Sequence, residues 1–487
     1  MSEEIKNLAP QTLWKHFYEL TQIPRPSKHD QAAAEYVRKA GENMGLETRV
    51  DEVGNVVIIK PATAGMEDRK TIILQGHVDM VPQKNNDTQH DFLKDPINAY
   101  IDGDWVKAKG TTLGADNGIG VAAALAVLEE KNLAHGPLEV LVTIDEETGM
   151  TGAFGIKPGF LKGDILLNLD SEDEGELYIG CAGGIDTNAE FFYKEEPVPA
   201  DVVSYQIEVG GLKGGHSGLD IILCRGNANK LMNRILWHGI KEHGLRLASI
   251  EGGSLRNAIP RESVAVVTVP KAQQTKFEEC FEKMSSEIIN EFSSTDPDIS
   301  IKLSLANRPE FVIDSATTEG LLNAVYACVD GIMRMSPDMP GVVETSTNLA
   351  LIKSGNGKIT MGSLQRSSID TAKYAVASSI RAAFESNGAK VEHKGEYPGW
   401  KPDVDSPILH AMKESYNNKY GKVPEVKVIH AGLECGIIGA GCGRELDMIS
   451  FGPTIRFPHS PDEKVNIKTV ELFYDFLLET LKNAPKK

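Results

Sequence analysis

Cysteine is scarce in this chain, with six in 487 residues, at 181, 224, 280, 328, 435 and 442. They form no CxxC pair and no dense framework, which excludes a cysteine-built zinc module and a disulfide-stapled scaffold. A reducing cytoplasm fits this usage, and Cys435 and Cys442 are expected to be structural thiols. Basic excess is also lacking: 51 Lys and Arg against 69 Asp and Glu leave a net charge of -18. That balance disfavours nucleic acid and anionic membrane as partners. No uninterrupted apolar run reaches membrane-spanning length. The opening "MSEEIKNLAPQTLWKHF" has no apolar run behind a basic segment, so no secretory signal is expected. No GxGxxG stands between a strand and a helix, which sets a dinucleotide-binding dehydrogenase aside.

What remains is the composition of a soluble globular protein, 41% hydrophobic and 25% charged, long enough for two or three domains. Residues 1–187 alternate helix and strand, with β-rich runs at "NVVIIKPA", "TIILQGHVDMV", "LEVLVTIDEETG" and "GDILLNLDSEDEG". "SKHDQAAAEYVRKAGENMG" reads as a helix opened by a serine cap, and "NGIGVAAALAVLEEKN" as a small-residue helix suited to close packing on a sheet. Residues 397–487 resume the alternation. Between them, 188–396 contain a β-α-β-β-α-β order twice, the opening strand of the second round being poorly marked. In that round "EGLLNAVYACVDGIMRM" reads as one helix. The expected fold class is α/β: one domain built from both chain ends and interrupted by an internally duplicated α+β domain.

Acidic residues gather at the strand exits. His77 and Asp79 in "QGHVDMV" share a side if the segment stays extended, so the carboxylate can orient the imidazole. Asp116 in "GADNGIG" stands where a loop enters a helix, a place that an ordinary helix cap would also explain. Glu146 and Glu147 close one apolar strand and Asp170 the next; His459 follows in "FPHSPDE". Glu172, Asp173, Glu174 and Glu176 are expected to form a solvated charge run. Acids at the carboxyl ends of sheet strands occupy the usual ligand-binding edge of an open α/β fold. Histidines and carboxylates together suit a pair of divalent ions, which would relieve the repulsion among close carboxylates. The adjacent glutamates then divide their work, one holding metal and its neighbour accepting a proton from a bridging water. Strand alternation is expected to point them apart.

The ordered set "GHVDMV" (76–81), "GADNGIG" (114–120), "DEETG" (145–149), "LNLDSED" (167–173) and "FPHSPDE" (457–463) resembles the co-catalytic zinc peptidases. That family includes aminoacylases, carboxypeptidase G-like enzymes and cytosolic dipeptidases. Within it the likeness is nearest to the aminoacyl-histidine branch, also called cytosolic nonspecific or carnosinase-like dipeptidases. The resemblance implies a catalytic domain with a lid, and two Zn²⁺ per chain, with Co²⁺ or Mn²⁺ able to substitute. His77, Asp116, Glu147, Asp170 and His459 would be the metal ligands, Asp116 bridging the two ions. Asp79 would orient His77, Glu146 would be the general base, and a cis peptide is expected at Asp116–Asn117.

The middle segment adds His216 in "LKGGHSGLD", Asn257 in "SLRNAIP" and Arg366 in "SLQRSSID", while "HAGLECG" brings Gly432. Arg366 could grip a substrate carboxylate with two parallel hydrogen bonds, and His216 could donate to an oxyanion. The glycine-rich segment could permit close backbone approach at Gly432 and Gly436, as ordinary turns also would. The resemblance implies that His216, Asn257, Arg366 and Gly432 touch substrate. The expected activity is dipeptide hydrolysis, Xaa-His dipeptides included, in a cytoplasmic homodimer. Alternatives are an N-acyl amino-acid hydrolase or carboxypeptidase using the same two metals, or a non-enzymatic metal-binding relative; the presence of Glu146 favours catalysis over the last.

Overall fold

The computed structural model describes residues 3–487. The chain forms two compact units: one up to Cys181 with Trp400–Val428 and Leu433–Lys487, the other Ala182–Gly399 with Ile429–Gly432. The expected boundaries at 187/188 and 396/397 fall inside strands Gly183–Phe192 and Lys390–Tyr397, so both strands lie wholly in the second unit.

In the first unit, strands Leu138–Thr143, Ile72–His77, Ile165–Asn168 and Asp447–Ser450 lie side by side and parallel at the centre of an eight-stranded sheet. The first three are buried along their whole length. That explains why they read as largely apolar runs, broken by buried Gln75 and Glu139, rather than as alternating patterns. The helix Ala115–Glu129 is buried at nearly every position, and its alanines and glycines let it approach the sheet closely. Parallel strands bring their carboxyl ends to one edge, which collects the segments after His77, Thr143 and Asn168. A separate four-stranded antiparallel sheet, in the order Ile455–Arg456, Lys464–Asn466, Trp105–Ala108, Ala99–Asp102, carries the segment around His459.

Two local readings change. The second helix begins at Gln31 rather than behind a serine cap. Ser27 donates its hydroxyl to Asp79 at 2.8 Å instead, while Asp30 accepts the Asp145 N–H at 2.8 Å. Glu146 and Glu147 do not extend the strand. Asp145 turns the chain at φ 50, and Glu146–Gly149 form one helical turn. Successive side chains there diverge by about 100°, which separates the two glutamates by helical rather than strand geometry.

The second unit is an antiparallel sheet ordered Ser300–Leu305, Val202–Gly210, Ser263–Pro270, Arg246–Gly252, Val343–Gly355, Lys358–Ser367, Gly183–Phe192, Lys390–Tyr397. A ninth strand, Gly331–Met335, pairs off Val343–Gly355. The weakly marked opening strand of the second round is Gly183–Phe192, which precedes the first round in the chain. One copy is therefore nested inside the other. Helices Ala228–His243, Gln274–Phe292, Ser315–Ala327 and Asp370–Glu385 bury Leu231, Phe277, Leu321 and Phe384 in the shared core. The helix expected through Met335 stops at Ala327. Half-buried Asp330 accepts the Leu349 N–H at 2.7 Å and the Asn227 amide at 3.1 Å, and the rest of that segment is a strand.

Close packing of the small-residue helix gives a prediction whose sign helix propensity would get wrong. A Cβ at Gly120 would lie 2.5 Å from the Leu169 carbonyl oxygen and 2.6 Å from Asn117 Oδ1. Gly120→Ala gains about 1 kcal/mol of helix propensity, but overpacking costs about 1–3 kcal/mol, so a net loss is expected. Urea midpoints measure it, and a variant at least as stable as the parent would show that this contact is slack.

Candidate metal centre

Asp116 is the hub of the first unit's acidic edge. Its Oδ1 lies 3.2 Å from His77 Nε2 and its Oδ2 lies 3.1 Å from His459 Nε2. One carboxylate thus faces two imidazoles with separate oxygens. On the His77 side, Asp170 Oδ1 stands 3.4 Å from the same Nε2. On the other side, Glu147 Oε2 is 3.0 Å from His459 Nε2. His77–Asp116–Asp170, Asp116–Glu147–His459 and His77–Glu146–Glu147 each bring ligand atoms within 4.8 Å of one another. The Asp116–Asn117 peptide is cis. His459 takes φ 58 and Phe457 φ 56, flanking a proline in a conformation uncommon for residues with side chains.

Asp79 is fully buried and ties the cluster together. Its Oδ1 is 3.2 Å from His77 Nδ1 and accepts the Glu146 N–H at 2.9 Å; Oδ2 accepts the Glu147 N–H at 3.2 Å. With Nδ1 facing Asp79, His77 turns Nε2 toward Asp116 and Asp170, and against burial these acids raise its proton affinity well above the ordinary histidine value. A ring nitrogen between two carboxylate oxygens needs a cation there, either a proton or a metal ion. Buried Asp170 Oδ1 and Glu147 Oε1, each without a hydrogen bond, point the same way. Burial pushes Asp170 up to about 8 and raises Glu146 well above the carboxylate range, Asp170, Glu434 and Glu147 adding their repulsion to the latter. A divalent ion would reverse that logic by favouring the charged forms. The imidazole and carboxylate donors fit such ions.

The charge run after Asp170 is not a solvated face. Arg456 pairs with Asp173 at 2.7 Å, Tyr416 donates to Glu174 at 2.5 Å and Tyr178 to Glu176 at 2.8 Å. Burial, then repulsion from Asp116 and Asp170, lifts Glu172 to about 8. Sequence reasoning also missed Glu434, a fully buried carboxylate accepting from Gln75 at 2.6 Å and Thr143 at 2.8 Å. Only glycines and a cysteine were read in "HAGLECG"; the acid between them was the available signal.

In the second unit, His216 Nδ1 accepts the backbone N–H of Gly218 at 3.2 Å and of Leu219 at 3.0 Å. This assigns the neutral ring's proton to Nε2, whose N–H is left as a donor. Arg366 Nη2 lies 3.5 Å from that Nε2. Arg366 is 4% exposed, donates to Tyr397 Oη at 3.0 Å, and forms no ion pair with a carboxylate among the described residues. Two adjacent donors without an acidic partner make an anion-binding set. Asn257 contributes its backbone carbonyl, which accepts the Ser217 N–H at 2.8 Å, while its side chain is exposed. Gly432 and Gly436 do not take positive φ. The same segment also carries His430, bonded to Ser346 Oγ at 2.8 Å and held neutral, at about 3, by burial and by the positive charge of Arg366.

The model of Peptidase family M20/M25/M40 matches residues 73–483. The chain is 46% identical over 484 residues to the cytosol non-specific dipeptidase of Escherichia coli (strain K12), covering 99% of this chain and 100% of that protein. The crystal structure of aminoacylhistidine dipeptidase from Vibrio alginolyticus superposes with a TM-score of 0.95 at 50% identity, covering 100% of this chain and 99% of that one. Aminopeptidase PepT from Bacillus cereus ATCC 10987 shares the fold, with a TM-score of 0.58 at 17% identity over 98% of this chain and 99% of that one.

His430 yields a pH test. A histidine neutral in the fold but with an ordinary pKa when unfolded takes up a proton on unfolding, so stability falls as pH drops from about 6.5 toward 3. By pH 5 that loss is about 2 kcal/mol. His430→Gln should remove this share of the acid limb, seen as a flatter stability profile in urea titrations at pH 5 to 7. Equal slopes would show that His430 is protonated in the fold.

Proposed function

The chain belongs to peptidase family M20/M25/M40, and from that membership we propose that it is a dipeptidase working with two divalent ions. The observation that carries the reading is Asp116, whose two oxygens face His77 and His459 while Glu146 stands beside ligand-type Glu147. His77, Asp116 and Asp170 would hold one ion; Asp116, Glu147 and His459 would hold the other. Zinc is the preferred ion, with cobalt or manganese able to replace it. Bound there, the ions would polarise the scissile carbonyl and lower the pKa of the attacking water.

The chain's own residues do the rest. Asp79 fixes the His77 tautomer and, through the N–H groups of Glu146 and Glu147, the spacing of both glutamates. Glu146 takes the proton of the attacking water and returns it to the departing amine. Within the second unit, Arg366 suits a free carboxylate and the Nε2–H of His216 an oxyanion. Asn257 and Gly432 would line the path of the peptide with backbone groups. Dipeptides, Xaa-His among them, are the substrates this set suits, and a cytoplasmic homodimer is the proposed working form.

Chelated protein, assayed on free-amine dipeptides and N-acetyl amino acids with and without restored Zn²⁺, tests the reading. Metal-dependent cleavage of the dipeptides is expected. Preference for the N-acetyl substrates would make the protein an acyl amino-acid hydrolase, and metal-independent cleavage would remove the ions from the mechanism.

The neighbouring glutamates should separate cleanly. Glu146→Gln keeps both ions and loses about 10²–10⁴-fold in single-turnover rate, the usual span for a positioned proton-transfer group. Glu147→Gln weakens one ion site, because an amide oxygen is a poorer ligand than a carboxylate. Metal content and single-turnover hydrolysis, measured on both variants, would exchange the assignments if the losses were interchanged.

A further inference from the structure

One buried carboxylate does no work in the scheme above, yet it joins two of its parts. Glu463 is 2% exposed and makes no ion pair among the described residues. It accepts four consecutive backbone N–H groups: Leu113 at 2.7 Å and Gly114 at 2.9 Å on Oε2, Ala115 at 2.7 Å and Asp116 at 3.3 Å on Oε1. Such a run of N–H groups is a concave anion site, here filled by the protein's own side chain. The turn is pinned from its other side as well. Arg25, also buried, donates to the Gly114 carbonyl at 2.6 Å and to that of Val78 at 2.6 Å. Gly114 takes φ 71, and a Cβ there would meet Arg25 Nη2 at 2.5 Å, so the turn is closed around both charges.

The sequence position of Glu463 gives this arrangement its meaning. It lies four residues beyond His459, whereas the turn it grips ends at Asp116. The bond at Ala115 spans 348 residues of chain. The geometry points to Glu463 as a positioning residue that sets the spacing between Asp116 and His459. It sets both Asp116 and His459 of the ion these two share with Glu147, and therefore acts less on the other ion, of whose ligands His77, Asp116 and Asp170 it sets Asp116 alone. The inference rests on the two-ion reading above.

Glu463→Gln keeps the volume but replaces one acceptor oxygen with an N–H₂ group facing backbone donors, which pushes the two segments apart. Loss of a partner that orients a ligand typically weakens metal binding about 10–100-fold. Calorimetric Zn²⁺ titration and Co²⁺ absorption titration of the metal-free proteins read the two sites separately. The expected result is two ions in the parent, and in Glu463→Gln one site within about threefold of the parent and the other weakened 10–100-fold. Glu463→Asp, which keeps the charge and retracts it by one methylene, should fall between; it also serves if the glutamine variant fails to fold. Equal weakening of both sites, or two unaltered sites in a folded variant, would overturn the role of Glu463. A parent that binds fewer than two ions would overturn the two-ion reading itself, and this inference with it.

Discussion

The first unit is organised around an electrostatic conflict. Asp116, Glu146, Glu147 and Asp170 converge at one sheet edge, where burial disfavours each charge and every neighbour disfavours it further. Two imidazoles alone relieve this unevenly. Asp116, between His77 and His459, is driven below the usual carboxylate range, whereas Asp170 rises to about 8. A chain that must hold these acids together needs rigid attachments behind each one, because repulsion would otherwise spread them. The parallel strands provide the first attachment by opening Ile72–His77, Leu138–Thr143 and Ile165–Asn168 onto a common edge.

Side chains behind the cluster provide the second. Asp79 bonds to His77 and to the backbone of both glutamates, and Ser27 bonds to Asp79. Beneath them runs a buried polar chain. Glu434 accepts from Gln75, whose Oε1 accepts from Asn168 at 2.5 Å, while Asn168 Oδ1 accepts from Ser450 at 2.5 Å. Gln75, Asn168 and Ser450 stand on three of the four central strands and Glu434 on a helix, so the hydrogen bonds brace the strands against one another just below the strand ends. A polar layer in a sheet core is tolerated when its members are hydrogen-bonded, and such a layer rigidifies what it supports.

This division explains what could be read from the sequence. The strands were legible because burial on both faces makes them largely apolar runs, and the metal-type ligands because they stand in order at strand exits. Ser27, Arg25, Glu434 and Glu463 were not, since each acts on a partner remote in the chain; Ser27 and Asp79 are 52 positions apart, Gln75 and Glu434 359. Glu146 and Glu147 were legible as a pair, but their geometry was not. The left-handed Asp145 converts the strand exit into a helical turn without any glycine or proline to announce it. Glu174 looked solvated because its partner Tyr416 stands on a helix 242 positions away, a contact that a local charge run cannot reveal, whereas Glu176 is bonded by Tyr178 two residues on in the same strand.

Nesting in the second unit has its own physical consequence. Each half has the strand order of a β-α-β-β-α-β unit, and although the halves share one core, the strands of the sheet join them through only two residue pairs, Glu251 with Lys353 and Gly252 with Ile352. The second half must recover its first strand from the far side of the inserted copy, pairing Lys358 with Phe192 and Ser367 with Gly183. Arg366 lies on that returning strand, opposite Gly184 on one side and Ser346 on the other, whereas His216 belongs to the nested half. The two donors, which approach within 3.5 Å, thus come from different halves, and Arg366 stands on a strand paired across 166 to 184 residues of chain. Such pairing carries a large loop-closure cost, which local contacts cannot offset in advance. The juxtaposition of Arg366 and His216 is therefore a product of the completed unit, and neither copy of the duplicated motif could present both donors alone.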